Sequence, residues 1–118
     1  MATQLKPQIQ DGLTAPYRDT GVTTASYADA ADLDVSLVDK MNIYLKNTHA
    51  TASLKYKIST SMHVASGHQV VDVPETTLSA GEDAQWYSEL PLGRIQVEVI
   101  NGSAASAWEL EAIGKVVR

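Results

Sequence analysis

The stretch Lys40-Met41-Asn42-Ile43-Tyr44-Leu45-Lys46 alternates apolar side chains with polar or amphipathic ones along its whole length. Met41, Ile43 and Leu45 would share one face of an extended chain, because successive side chains of a strand point to opposite sides. A period of two over this many residues indicates a strand with one buried face and one solvent-exposed face. The stretch therefore predicts a β-sheet protein with an apolar interior.

The same alternation recurs elsewhere in the chain, in residues 33–37, 54–58, 95–99 and 108–112. Two further candidate strands, residues 69–73 and 84–88, are rich in β-branched or aromatic residues, and Pro74 makes the first of them an edge strand or a strand end. Turn residues such as Asn101-Gly102 separate the stretches. With about seven short strands and no convincing helical window in residues 33–118, the predicted fold is all-β: an antiparallel β-sandwich or a jelly-roll-like structure.

Residues 1–30 have a different pattern, with larger apolar side chains four or five positions apart. Glycines and Pro16 interrupt any continuous helix there. We interpret the segment as an extended N-terminal arm, with a short helical turn near residues 28–31, attached to a β-sandwich domain of residues 31–118. An arm with sparse anchors lies along its own domain or reaches a neighbouring subunit, so its apolar side chains are candidate partner contacts: Leu5, Ile9, Leu13, Tyr17 and Tyr27.

Length and charge restrict the class of partner. The chain has 118 residues, which suits one domain, and a formal net charge of −5. A nucleic-acid partner or an anionic membrane would require a basic surface, so the sequence predicts neither. Residues 1–7 lack the apolar segment of a signal peptide, and no stretch approaches the ~20 apolar residues of a membrane-spanning helix. Cysteine is absent, which excludes disulfides and favours folding in a reducing cytosol.

Patterns for catalysis and metal binding are missing. His63 and His68 would need a third ligand such as Asp72 or Glu75, and their spacing matches no recognised zinc site, so we interpret them as polar loop residues. No Gly-x-Ser-x-Gly, Walker or Gly-x-Gly-x-x-Gly motif occurs. The sequence therefore predicts a non-enzymatic protein with no catalytic, cofactor or metal site.

The candidates for a paired-carboxylate site of the kind that glycosidases use are Glu98, Glu109 and Glu111, together with Glu82 and Asp83. Glu98, Glu109 and Glu111 are expected on the polar face of adjacent strands, where Lys55 and Lys57 can offset their charge. A solvated charged face is the simpler interpretation of this arrangement.

The aromatic residues divide between core and surface. Trp108 alternates with polar residues, which predicts a buried anchor. Trp86 and Tyr87 are adjacent, so in a strand they point to opposite faces, and we predict Trp86 inside and Tyr87 outside. Tyr44, on the polar phase of its stretch, and Tyr87 are candidate exposed interface residues, since aromatic side chains are enriched at interfaces.

One order of motifs covers residues 39–115: a strand ending in Asn47-Thr48, a Leu54-x-Tyr56-x-Ile58 strand, a Leu78-Ser79-Ala80-Gly81-Glu82 turn, residues 93–99 and a last strand with Trp108. This order resembles small β-sandwich proteins that decorate and stabilise the capsids of tailed bacteriophages. The resemblance implies a virion protein on the capsid surface, made in the host cytoplasm. It further implies binding to the major capsid protein or other virion proteins as a homo-oligomer, with a trimer favoured.

Two alternatives stay open. The chain could be another virion component, from the tail, the head–tail joint or a fibre base. It could also be a carbohydrate-binding or adhesion module, because bacterial adhesion and cell-surface sandwiches use a similar Asn-Thr loop and Ala-Gly-Glu turn, and exposed aromatic rings can stack on sugars.

Overall fold

A computed structural model describes residues 3–5, 13–14, 16–62, 69–88 and 93–116. Within these ranges the chain forms nine strands and no helix, and so contains no candidate membrane-spanning helix. The strands are β1 (Thr3–Gln4), β2 (Tyr17–Val22), β3 (Ala28–Asp34), β4 (Val38–Asn47), β5 (Leu54–Ser61), β6 (Val70–Leu78), β7 (Asp83–Ser88), β8 (Arg94–Asn101) and β9 (Ala107–Val116).

The strands form two sheets. One has five strands in the order β1-β3-β8-β5-β6, and the other has four in the order β2-β9-β4-β7. The short β1 pairs with β3 in parallel, whereas the other pairings are antiparallel. The predicted antiparallel β-sandwich is confirmed, with nine strands among the described residues in place of about seven.

Residues from both sheets meet in one apolar core. The alternation in β4 predicts its inward residues correctly, since Met41, Ile43 and Leu45 are all buried. Trp108 is also buried, as predicted, with 5% of its surface exposed. The predicted strand over residues 33–37 is not formed along its whole length. β3 ends at Asp34, and Leu37 lies exposed in the turn before β4.

Residues 28–31 form part of β3, and the predicted helical turn there is wrong. The strand pairs antiparallel with β8, and a β-bulge between Asp29 and Ala31 shifts the register. Ala30 and Ala31 are both buried as a result. Because the bulge breaks the period of two, the alternation pattern does not reveal this strand. The division of the chain at residue 30 falls inside β3.

Residues 17–22, expected within an extended arm, form edge strand β2 and pair antiparallel with β9. Gly21 lies directly against Trp108: a β-carbon at Gly21 would be 2.6 Å from Cζ2 of the indole. The register aligns half-buried Tyr17, exposed Asp19 and half-buried Gly21 with the inward residues of β9, so β2 has no apolar alternation for a sequence pattern to detect. The described residues before β3 thus lie along their own sandwich.

Candidate partner-binding surface

The four-stranded sheet turns one face away from the core, and the strand register brings two tyrosines together there. Asn42 on β4 lies opposite Tyr87 on β7 and opposite Ile113 on β9, and Tyr44 is two residues further along β4. We call this surface the tyrosine face and define it by the residues Leu13, Pro16, Arg18, Lys40, Asn42, Tyr44, Gln85, Tyr87, Glu111, Ile113 and Lys115.

Two shallow grooves cross the tyrosine face. One, of about 240 Å³, is lined by residues that include Pro16, Tyr44 and Glu111. The other, of about 230 Å³, is lined by residues that include Leu13 and Tyr87. Asn42 and Ile113 line both grooves, so the two are neighbours, and we call them together the depression.

Hydrogen bonds hold the polar groups of this face in place. The Tyr44 hydroxyl donates to Oδ2 of Asp83 at 3.0 Å, and Nε2 of Gln85 donates to Oδ1 of Asn42 at 3.0 Å. Desolvation, together with the hydrogen bond to Asp83, raises the pKa of Tyr44. The phenol therefore stays neutral at physiological pH, and its ring is held in one orientation on the surface.

At one end of the tyrosine face, the apolar side chains of Leu13 and Tyr87 lie beside the positively charged Lys40 and Lys115. Tyr87 is 68% exposed and Leu13 is 40% exposed. Leu13 reaches the sheet through an isolated antiparallel bridge to Lys115 on β9. At the other end, Arg18 and Glu111 form an exposed ion pair with an Nε–Oε1 distance of 3.6 Å, which contributes little to stability.

The predicted partner contacts are divided by the structure. Leu13, Tyr44 and Tyr87 lie together on the tyrosine face. Leu5 is in the core, with 3% of its surface exposed and its backbone N–H bonded to the carbonyl oxygen of Asp34. Ile9 lies outside the described residues.

The two remaining tyrosines of the predicted arm are elsewhere. Tyr17 faces inward and packs half-buried against the core. Burial, together with the nearby Asp19, raises its pKa. Tyr27 covers the outer side of the five-stranded sheet, so neither ring belongs to the tyrosine face. Their predicted role in partner binding has no support from this placement and stays a prediction.

Sequence reasoning missed Ile113. In β9 the residues Trp108, Leu110 and Ala112 point inward, so Ile113 occupies the outward phase that Glu109 and Glu111 share. Ile113 could have been identified from the sequence, because an apolar residue in the outward, polar phase of a strand places apolar surface on the outside of the sheet.

The outer side of the five-stranded sheet differs from the tyrosine face, because ion pairs lie across it. Arg94 holds Asp32 through two hydrogen bonds, from Nε to Oδ1 at 2.8 Å and from Nη2 to Oδ2 at 2.7 Å. Those bonds raise the pKa of Arg94. Lys57 lies 3.9 Å from Glu98, as the sequence predicts. The predicted adjacency of Glu98 with Glu109 and Glu111 is wrong, because β8 and β9 belong to different sheets.

Tyr27 contacts two of the ion-paired residues on the outer side of the five-stranded sheet. Its ring centroid lies 4.3 Å from Nζ of Lys57, and its hydroxyl donates to Glu75. Desolvation and the hydrogen bond to Glu75 raise the pKa of Tyr27 to about 12. Lys55 in turn lies 3.6 Å from Glu75. These ion pairs hold charged side chains of the face within the chain, and the exposed apolar residues Val70 and Val71 lie on β6 at the edge of the same sheet.

No arrangement for chemistry is apparent in the part of the chain that the structure describes. It contains no group of three His, Asp or Glu side chains that could hold a metal ion. His63 and His68 lie outside the described residues. Nδ1 of His49 accepts hydrogen bonds from the backbone N–H groups of Thr51 and Ala52. The His49 ring therefore stabilises the conformation of its own loop. The absence of catalytic, cofactor and metal sites stays a prediction.

No protein-family model matches the chain, and a search of curated proteins finds no relative. Solved structures share its fold at low identity. A chain from the disulfide-linked pili of Bacillus endospore appendages is 14% identical with a TM-score of 0.55, and the match covers 87% of each chain. PirA is 13% identical with a TM-score of 0.54, over 92% of this chain and 99% of PirA.

The K3 cleaved adhesin domain of Lys-gingipain from Porphyromonas gingivalis is 14% identical with a TM-score of 0.50, over 75% of this chain and 63% of that chain. At these identities the similarities show the sandwich fold alone. The pilus also differs in chemistry, since the present sequence has no cysteine to form a disulfide.

Proposed function

We propose that the protein binds the assembled capsid of a tailed phage and stabilises it, with the tyrosine face in contact with the major capsid protein. The observation that carries the proposal is that Tyr44, Tyr87 and Ile113 share one grooved face, whereas three ion pairs lie across the opposite face of the sandwich. The sequence resemblance to capsid decoration proteins supplies the class of partner.

The chemistry of the tyrosine face suits a protein partner. Tyrosine buries a large area at low entropic cost, and Tyr44 is already oriented by Asp83 before binding. The strands beneath are packed on the core, so the face is rigid and binding requires little ordering. A partner side chain that enters the depression at Asn42 and Ile113 would exclude water between the two tyrosines.

Several copies acting together would strengthen attachment. A capsid presents the same site many times, and a homo-oligomer, for which we favour a trimer, converts weak contacts into high avidity. Binding to the assembled shell and not to free subunits stabilises the shell by mass action. We place the protein on the capsid surface after synthesis in the host cytoplasm, without nucleic acid or membrane as partner, in keeping with its net charge of −5.

Co-sedimentation with capsids tests the proposal. Purified protein is mixed with capsids assembled without it and, separately, with unassembled capsid subunits. We expect the protein to pellet with the capsids and to leave the subunits unbound. The double variant Tyr44→Ala/Tyr87→Ala should bind at least ~10-fold more weakly, because truncated aromatic anchors at an interface typically cost 1 kcal/mol or more each.

Tyr27→Ala is the matched control, since it removes a tyrosine from the other face of the sandwich. It should bind as the unchanged protein does. Absence of capsid binding would refute the proposal, and equal losses in the control and the double variant would remove the tyrosine face from it. Electron microscopy of virions carrying labelled protein separates the capsid surface from a tail, joining or fibre-base position.

A carbohydrate-binding or adhesion module is the second candidate, and the observation that favours it is that exposed Tyr87 and half-buried Tyr44 lie on one face. Rings on one face of a sheet can stack on successive sugars. A glycan array tests this candidate: specific binding that Tyr87→Ala abolishes supports it, and no binding to any glycan rejects it.

A further inference from the structure

One side of the sandwich presents two strand edges next to each other. β6 is the last strand of the five-stranded sheet and β7 is the last of the four-stranded sheet, so within the described residues each pairs with a neighbour on one side only. Trp86 on β7 spans the gap, and its Nε1 donates to Oδ2 of Asp72 on β6 at 2.6 Å. We call this side the open seam and define it by residues 70–78 and 83–88.

The open seam leads into the apolar interior. A cavity of about 50 Å³ lies behind it, lined by residues that include Ile43, Ile58, Val73 and Trp86. Trp86 and Val73 are only partly buried, although they pack against the core. An apolar side chain arriving between the two edges would therefore meet apolar surface and not solvent.

The charge along the open seam has one sign. The seam contains no lysine or arginine and three acidic residues, Asp72, Glu75 and Asp83, and a fourth, Glu82, lies in the turn between its two strands. Glu75 lies near Lys55 and Asp83 lies opposite Lys46 in the strand register, but no ion pair of the described residues includes Asp72, Glu82 or Asp83. An edge with this charge attracts basic groups and repels acidic ones.

We propose that β7 receives an extended segment of a partner protein, in which basic and apolar residues alternate, as a fifth strand of its sheet. β7 suits strand addition better than β6, because Pro74 in β6 lacks a backbone N–H and the register of β6 against β5 is irregular. The inference does not depend on the function proposed above.

The alternation follows from the two faces of β7. Ala84 and Trp86 point toward the core, so the inward side chains of the added strand should be apolar. Asp83, Gln85 and Tyr87 point outward, so the side chains beside them should be basic or hydrogen-bonding.

The same charges disfavour pairing of β7 with β7 of a second copy. Two acidic edges brought together would repel, which is a recognised way in which proteins keep exposed strand edges from associating. The seam is thus selective for a basic segment of a different protein.

Nuclear magnetic resonance with short designed peptides tests the inference. One peptide of about seven residues alternates valine and lysine, and a second alternates valine and glutamate. At low ionic strength we expect the lysine peptide to cause saturable shifts in the amide signals of residues 83–87 and in the indole N–H signal of Trp86. The glutamate peptide should cause none, and raising the salt concentration from about 0.05 M to about 0.5 M should weaken binding of the lysine peptide.

The double variant Asp72→Asn/Asp83→Asn keeps a hydrogen-bond acceptor for Trp86 and for Tyr44 while it removes two charges. It should bind the lysine peptide about fivefold more weakly, from two exposed charge interactions. Glu109→Gln/Glu111→Gln is the matched control, with the same change in net charge on strand β9, and should stay within about twofold of the unchanged protein.

Three results would overturn the inference: no response of β7 to the lysine peptide, equal responses to both peptides, or equal losses in the two double variants. A salt-independent dimer of the protein that is held by β7 would overturn it as well, because the seam would then select a second copy.

Discussion

Nδ2 of Asn47, the last residue of β4, donates a 3.0 Å hydrogen bond to the backbone carbonyl oxygen of Leu78, the last residue of β6, and thereby connects the two sheets. The same amide donates to the carbonyl oxygen of Ala52 at 2.8 Å, and its Oδ1 accepts from the backbone N–H of His49 at 3.0 Å. The side chain is fully buried. One residue thus fixes a loop and joins the sheets.

The backbone of Asn47 joins the motif residues on which the resemblance was based. The Asn47 N–H donates to the carbonyl oxygen of Glu82, and the Asn47 carbonyl oxygen accepts from the N–H of Gly81. Gly81 has a positive φ of 75°. The Asn-Thr loop and the Ala-Gly-Glu turn are therefore in contact. They support the fold, whereas the tyrosine face uses other residues.

Replacing Asn47 by alanine should lower the free energy of unfolding by about 2–4 kcal/mol, because the carbonyl groups of Leu78 and Ala52 would each lose a buried donor. Urea unfolding followed by fluorescence measures the change. Asn42→Ala on the exposed side of the same strand is the control and should cost less than about 1 kcal/mol. An Asn47→Ala variant as stable as this control would contradict the role of Asn47.

Gly21→Ala should destabilise the protein by about 1–3 kcal/mol, because the added methyl group would overlap the indole of Trp108. Thermal unfolding and the tryptophan emission spectrum report the change. The neighbouring Thr20→Ala, on the exposed side of β2, should have little effect. If residues 17–22 were an arm detached from the sandwich, both substitutions would be silent.

Leu5 and Leu13 should separate stability from partner binding. Leu5→Ala removes a core side chain and should cost about 2–5 kcal/mol of unfolding free energy, as for other buried leucines. Leu13→Ala, on the tyrosine face, should cost less than about 1 kcal/mol. Leu13→Ala should nonetheless reduce capsid co-sedimentation, provided that the proposed function holds. The reverse pattern in unfolding experiments would contradict the burial of these two residues.

Glu82 should make stability depend on pH. Hydrogen bonding from Ser79, whose backbone N–H lies 2.8 Å from Oε1 of Glu82, lowers the pKa of this carboxyl group below its ordinary value of 4.5. A pKa that is lower in the folded state adds stability that is complete above pH 4.5 and is lost as the pH falls through the folded-state pKa.

Glu82→Gln should therefore lower the melting temperature at pH 7, and the difference from the unchanged protein should shrink as the pH falls below 4.5. Differential scanning calorimetry across this range provides the measurement. Glu109→Gln, at an exposed position without a resolved hydrogen bond, is the control. A difference that does not vary with pH would refute the role of the ionised carboxylate.

Much of the sandwich was predictable because its central strands are regular. In β4, in residues 54–58 of β5, and in β8 and β9, one face is buried and the other is not, so the sequence repeats the period of two imposed by strand geometry. The predictions for Trp86 and Tyr87 hold for the same reason, with Trp86 against the core and Tyr87 exposed. Strands β2 and β3 escaped the pattern because one is an edge strand with little apolar surface and the other contains a bulge.

The sequence by itself determined which faces of the central strands are apolar, because burial of alternate side chains is a local property that each stretch records. Only the tertiary structure decided that Leu13, Tyr44, Tyr87 and Ile113 lie on one face, and that the edges of β6 and β7 are neighbours. Those relationships depend on pairings between strands far apart in the chain. Many sequence-distant pairings can satisfy the same alternation, so the set of residues that meet at a surface is fixed only when the strands assemble around their common core.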